Sequence, residues 1–219
     1  MKSTLDCRSF STNNARSAAA VLDEYNLVVV ENVLSAAMCE RIVEEALRGA
    51  WAASTVAGRS GKQGYERQSH SGRNSLTLCQ SDYPRWIVRC LDDLAQRLRK
   101  MLGVRPPNLE PWQVTRYTKG QSFDFHLDCG CWRDDARGER KRTVMLYLET
   151  PKRGGTTVFR ALNAEVKPVV GRLVVWNNLL PNGNCNHAMI HASLPVAAGS
   201  KTILTTWERE RRYIQNKER

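Results

Sequence analysis

The chain has 219 residues, 42% of them hydrophobic and 25% charged, the balance of a globular protein long enough to bury a core. No run of about 18 apolar residues occurs, which argues against a membrane span, and the first twenty residues lack the apolar stretch of a signal peptide, so a cytosolic protein is expected. The formal net charge of +11 admits nucleic acid or an acidic ligand as partner, yet the basic residues are scattered, with local clusters at 137–142 and 208–219. No nucleic-acid-binding motif accompanies them, so a solvated basic face is expected and nucleic acid is not the expected partner.

In chain order, residues 1–24 read as polar and weakly helical. Leu27 to Val33 is a buried strand running into a turn. Ser35 is an N-cap candidate for a helix to Ala50, with Ile42, Val43, Ala46 and Leu47 on one face. A second helix is predicted from Pro84 to Leu102. Its Ile87, Leu91, Leu94 and Leu98 recur at helical intervals, and Gly103 stands at the C-cap position. Between these helices, residues 56–78 are rich in Gly, Ser and Arg, too polar for core and long for a connection, as a lid over a site would be. His70 lies in this segment and is expected to be solvated.

From Glu110 the pattern changes to short β-prone runs: WQVTRY, SFDFHLD, TVMLYLE, TTVF, RLVVWNN and KTILTTWE. Their spacing predicts a sandwich or jelly-roll with helices packed outside it. Trp112 and Trp176 are expected as core aromatics. The seven cysteines are an odd number, and free thiols are expected, Cys39 and Cys90 as small buried hydrophobes.

Only four histidines occur. His126 and Asp128 are separated by one residue inside a strand-like run, and positions i and i+2 of a strand share a face. A downstream histidine, His191 or His187, would complete two imidazoles and a carboxylate on one side of an octahedron, the arrangement of non-haem Fe(II) oxygenases. The alone-standing HxD pattern is common by chance. Cys129, Cys131, Cys185 and His187 offer a competing tetrahedral zinc site, although the CxC spacing is tighter than usual.

The segments RYTKGQSFDFHLD, RTVMLYL, GGTTVF, VKPVVGRLVVWNN and HASLPVAAGSKTILTTWERE resemble, in order, the catalytic core of the prolyl 4-hydroxylase-like Fe(II)/2-oxoglutarate dioxygenases. The resemblance runs from Trp112 to Arg209 and implies an α+β chain with a double-stranded β-helix core. The length fits one domain over residues 1–219, with 1–109 as helical support and lid and 110–210 as the catalytic β core. The resemblance places the metal on His126, Asp128 and His191, and the far carboxylate of 2-oxoglutarate on Lys201. Tyr117 is implied as lining the cosubstrate pocket, with Thr143 and Trp207 as further pocket positions. Fe(II), 2-oxoglutarate and O2 are the implied cofactors, with ascorbate as an accessory. The implied reaction splits 2-oxoglutarate to succinate and CO2 while hydroxylating an unactivated C–H bond. Related halogenases have a small residue at the carboxylate position; the presence of Asp128 implies hydroxylation.

The substrate is less legible. Arg67, Arg73, Trp132 and Arg160 are candidate contacts. A prolyl or other residue of a peptide or protein ranks first, and a free or carrier-bound amino acid or other small metabolite second. A different class of function, an inactive basic binding module on the same fold, conflicts with the complete set His126, Asp128, His191 and Lys201. A zinc hydrolase would need a positioned general base, and none is visible.

Overall fold

Two-residue alternation along the central strands sorts their side chains into two separate cores. The computed structural model describes residues 17–59, 65–79 and 83–212. The elements of the first half are α1 (Ala18–Tyr25), β1 (Leu27–Val30), α2 (Ala36–Ala46), β2 (Ala52–Ala53), β3 (Val56–Arg59), β4 (Tyr65–Gln68), β5 (Leu76–Cys79) and α3 (Arg85–Leu102). There follow β6 (Gln113–Tyr117), β7 (Phe123–His126), β8 (Arg140–Glu149), β9 (Arg153–Gly154), β10 (Thr157–Phe159) and β11 (Ala164–Val166). The last are β12 (Leu173–Asn177), β13 (His191–Ser193), β14 (Val196–Ala198) and β15 (Lys201–Arg209).

A seven-stranded sheet runs β1-β12-β8-β15-β6-β5-β2, and a four-stranded sheet runs β11-β10-β13-β7. Val28, Val144, Leu146, Leu148, Leu173 and Val175 project from the large sheet onto α1, α2 and α3. Their neighbours Leu27, Val29, Met145, Tyr147, Val174 and Trp176 project the other way, onto Phe159, Ala164 and Val166 of the small sheet. Both faces of the large sheet are thus covered, so TVMLYL and LVVW read as continuous apolar runs. Each fully buried side chain of this size stabilises by about 1.5–3 kcal/mol. The double-stranded β-helix with helices outside it is the expected architecture.

Ser35 caps α2, accepting from the Met38 N–H at 3.2 Å, and Gly103 ends α3 in the left-handed region at φ 64°. Two boundaries differ from expectation. α2 stops at Ala46, because the N–H groups of Arg48 and Gly49 turn back to Glu45 and Ala46. A Cβ at Gly49 would stand 2.8 Å from the Leu78 methyl groups and push them aside. The segment expected as a polar lid loop also carries strands: β3 and β4 form a hairpin, and β5 joins the large sheet beside β6. Backbone pairing holds this segment, and few apolar side chains were available to signal it. Of the segment 1–24 read as polar and weakly helical, residues 1–16 lie outside the described residues, and α1 begins at Ala18.

Candidate active site

His191 on β13 pairs directly with His126 on β7, and Asp128 lies two residues beyond His126. One ligand atom from each of these three residues falls within 4.8 Å of the others. His126 Nε2 is 3.8 Å from one Asp128 oxygen, and His191 Nε2 is 3.9 Å from the other. The outer nitrogen of each ring meets a backbone carbonyl: His126 Nδ1 that of Asp124 at 2.8 Å, His191 Nδ1 that of Met189 at 3.0 Å. A carbonyl only accepts, so both Nδ1 atoms carry the proton and both Nε2 lone pairs face the carboxylate. His187 is exposed on the 3-10 turn His187–Met189.

The His126 ring stays neutral and the Asp128 carboxyl stays charged. Burial pushes the His126 pKa down, and the neighbouring His191 adds to that. Burial pushes Asp128 up, but the two imidazoles, Arg140 and the Thr143 hydroxyl outweigh it and hold the carboxyl below its usual range. Two neutral imidazoles with one carboxylate suit Fe(II) and leave coordination positions open. The donor set fits that ion.

Lys201 begins β15 directly opposite Tyr117 of β6. It is wholly buried, and its ammonium donates to the Gly155 carbonyl (2.8 Å), Ser193 Oγ (2.8 Å) and Thr157 Oγ1 (3.4 Å). No carboxylate stands among these partners, and burial pushes its pKa down to about 7. Ser193 is two residues from His191 on the same strand face, a step of about 7 Å. The cation therefore lies within reach of a short dicarboxylate anchored beside the three ligand residues. Tyr117 and Tyr147 place their rings 5.3 and 5.5 Å from the ammonium, and Tyr147 Oη donates to Thr157 Oγ1 at 2.7 Å.

Tyr147, Thr157 and Ser193 were not singled out in the sequence. The parity of Ser193 with His191 was a usable signal; Tyr147 sits in a run that reads simply as core. Thr143 and Trp207 line the cavity but not at the lysine end. Thr143 gives its hydroxyl to Asp128 at 2.6 Å. Trp207, six residues along β15, lies about 20 Å of strand away from Lys201.

The cavity has a volume of about 800 Å³. At its far end the Arg140 guanidinium lies 3.6 Å from the Trp207 ring and 4.9 Å from the Trp132 ring. Glu110 takes two hydrogen bonds from Arg140 at 2.7 Å and one from Arg209 at 2.9 Å. Burial pushes the Glu110 carboxyl up, but the two guanidiniums outweigh it and hold it low. Trp207 Nε1 and Thr205 Oγ1, both on cavity-lining residues, are buried with no hydrogen-bond partner among the described residues.

Arg73 also lines the cavity, 4.7 Å over the Phe123 ring and bonded to the Thr55 carbonyl at 2.8 Å. His70 is exposed at the rim, as expected. Arg160 is not among the lining residues; it stacks on the half-exposed Phe125 at 3.7 Å. Arg67 belongs to β4, and its side chain lies outside the described residues. The cluster at 137–142 is not the solvated face expected. Arg137 pairs with Asp135, Arg140 with Glu110 and Arg142 with Glu208.

Cys129 and Cys185 form a disulfide, which corrects the expectation of free thiols and removes two of the four ligands from the zinc alternative. They are 56 residues apart, and the pairing of β7 with β13 brings the loops that carry them together. Cys39 is buried as expected, whereas Cys90 is only half-buried, and Cys131 donates its thiol to the Ala57 carbonyl of the hairpin.

The sequence model of the 2OG-Fe(II) oxygenase superfamily matches residues 112–209. A protein of Acanthamoeba polyphaga mimivirus, provisionally named a prolyl 4-hydroxylase, is 28% identical over 96% of this chain and 85% of its own. Prolyl 4-hydroxylase subunit alpha-1 of Gallus gallus is 31% identical over 52% of this chain, which spans 23% of that subunit's length. The viral collagen prolyl hydroxylase of Paramecium bursaria Chlorella virus-1, solved with 2-oxoglutarate, superposes with a TM-score of 0.63. Its identity is 25%, over 86% of this chain and 98% of that one.

Proposed function

Because this chain belongs to the 2OG-Fe(II) oxygenase superfamily as a prolyl 4-hydroxylase-like dioxygenase, we propose that it hydroxylates prolyl residues within peptides. The observation that carries the reading is the step along β13 from His191 to Ser193, which sets a buried lysine with no carboxylate partner among the described residues beside an Fe(II)-type donor set. In this proposal His126, Asp128 and His191 hold Fe(II), and Lys201 holds the far carboxylate of 2-oxoglutarate with Thr157 and Tyr147 beside it. Bound Fe(II), with 2-oxoglutarate and O2, supplies the oxidation of the C–H bond.

The protein's own part is to hold and to exclude. The carbonyls of Asp124 and Met189 fix the two imidazole tautomers. Tyr117 and Trp176, both buried, wall the cavity against water, which strengthens every charge interaction inside it.

The far end suits a peptide. Trp207 and Trp132 offer aromatic surface to a pyrrolidine ring, and the Trp207 N–H, without a partner among the described residues, is a donor for a backbone carbonyl. The names of the viral and Gallus relatives point to prolyl substrates as well. Succinate release tests the reading. Proline-containing peptides should stimulate it, while the same peptides with alanine and free proline should not; equal stimulation by free proline would favour a small-metabolite substrate.

A further inference from the structure

We propose that Asn178, acting through Thr143, is a positioning residue that fixes which oxygen of Asp128 is left for the metal. This rests on the reading of His126, Asp128 and His191 as Fe(II) ligands. Thr143 Oγ1 lies 2.6 Å from Asp128 Oδ2, and Asn178 Nδ2 lies 2.9 Å from Thr143 Oγ1. A carboxylate oxygen only accepts, so the single hydroxyl proton of Thr143 goes to Asp128. Its lone pairs then receive the Asn178 N–H. With the amide turned over, its oxygen would compete for that same proton. The chain therefore has one direction, from Asn178 to Thr143 to Asp128.

Burial makes this direction binding. Thr143 and Asn178 are each 1% exposed, so water does not compete for the hydroxyl. Trp176 of β12 and Trp207 of β15 stand opposite Thr143 on either side of β8 and enclose it. With Oδ2 engaged, Oδ1 is the oxygen left uncommitted by this chain.

Asn178 also reaches a second ligand residue. Its backbone carbonyl accepts the Asn186 N–H at 2.7 Å. Asn186 caps the turn His187–Met189, and the Met189 carbonyl takes the His191 Nδ1 proton. One buried residue after β12 thus holds Asp128 through its side chain and His191 through its backbone. Partners of this kind typically contribute 10–100-fold to metal affinity.

Co(II), titrated by its absorption into the protein without 2-oxoglutarate, reads the effect directly, with melting temperature measured alongside. Thr143→Val, nearly the same shape, should raise the Co(II) Kd roughly 10–100-fold, and Thr143→Ser should bring it back to near the wild-type value. Asn178→Asp keeps the shape but turns a donor into an acceptor that takes the Thr143 proton, so it should weaken Co(II) more than Asn178→Leu does. That ordering is opposite to the one a packing role gives, and it decides the matter if Thr143→Val does not fold. Wild-type affinity in Thr143→Val and Asn178→Asp would overturn the proposal, as would equal losses in Thr143→Ser and Thr143→Val. A wild-type protein that takes up no Co(II) would instead overturn the metal site itself.

Discussion

His126 and His191 face each other across the β7–β13 pair with their ring centroids 4.2 Å apart. Neighbouring strands lie about 4.8 Å apart, so directly paired histidines with their outer nitrogens tied to backbone carbonyls have little freedom to turn. Sheet register, more than loop conformation, brings the ligand nitrogens together.

The distal ligand is therefore fixed by register. His191→Ala should cost more than about 100-fold in Co(II) affinity, beyond what loss of a supporting partner costs. His187→Ala, which removes an exposed side chain on the preceding turn, should leave it unchanged. Equilibrium dialysis of both variants checks the pair, and the reverse result would move the ligand to His187.

Lys201 has neutral oxygens as its partners and is wholly buried, so removing it takes away the cation without stranding an acid. Lys201→Met should raise the KM for 2-oxoglutarate about 100-fold, the scale of about 3 kcal/mol for a buried charge-assisted contact. Co(II) affinity should change little. Steady-state kinetics against 2-oxoglutarate, with Co(II) titration as control, separates the two.

The same lysine gives a pH dependence. Burial lowers its pKa to about 7 in the free protein, and a carboxylate laid against the ammonium favours the charged form and raises it. Only the protonated form attracts the carboxylate. Affinity for 2-oxoglutarate should be flat below about pH 7 and then fall with rising pH, by up to tenfold per unit. Calorimetry at about pH 8 in buffers of different ionisation enthalpy should show proton uptake. Tightening of binding with rising pH would contradict the assignment.

The Cys129–Cys185 bond closes a separation of 56 residues. Chain entropy alone assigns such a loop about 4 kcal/mol, or roughly 10 °C in melting temperature for a chain of this size. A dithiol should therefore lower the melting temperature and expose two further thiols in the denatured chain. No shift and no new thiols would mean that the two residues are not bonded.

The fold was legible because its signals were periodic. Continuous apolar runs such as TVMLYL marked strands covered on both faces, and Ser35 and Gly103 marked helix ends. His126 and Asp128 were legible because their spacing is local, although β7 ends at His126 and Asp128 follows it in a bend; His191 became so through the resemblance. What escaped depends on contacts far apart in the chain. Arg140 and Arg209 read as surface charge, since Glu110, 30 and 99 residues away, enters only in three dimensions. The disulfide escaped because cysteine count and compartment say nothing of which loops converge. Thr143, read as a further pocket position, lines the cavity, and its bond to Asp128 is what the sequence did not signal.

Mass spectrometry of a proline-containing peptide incubated with the protein, Fe(II), 2-oxoglutarate and oxygen decides whether the chain is a prolyl hydroxylase. One added oxygen on proline, one succinate per hydroxyl formed, and neither with Asp128→Ala are the expected results. Oxygen incorporation that persists in Asp128→Ala, or a wild-type protein that neither turns over nor perturbs the absorption of Fe(II) with 2-oxoglutarate, would contradict that assignment.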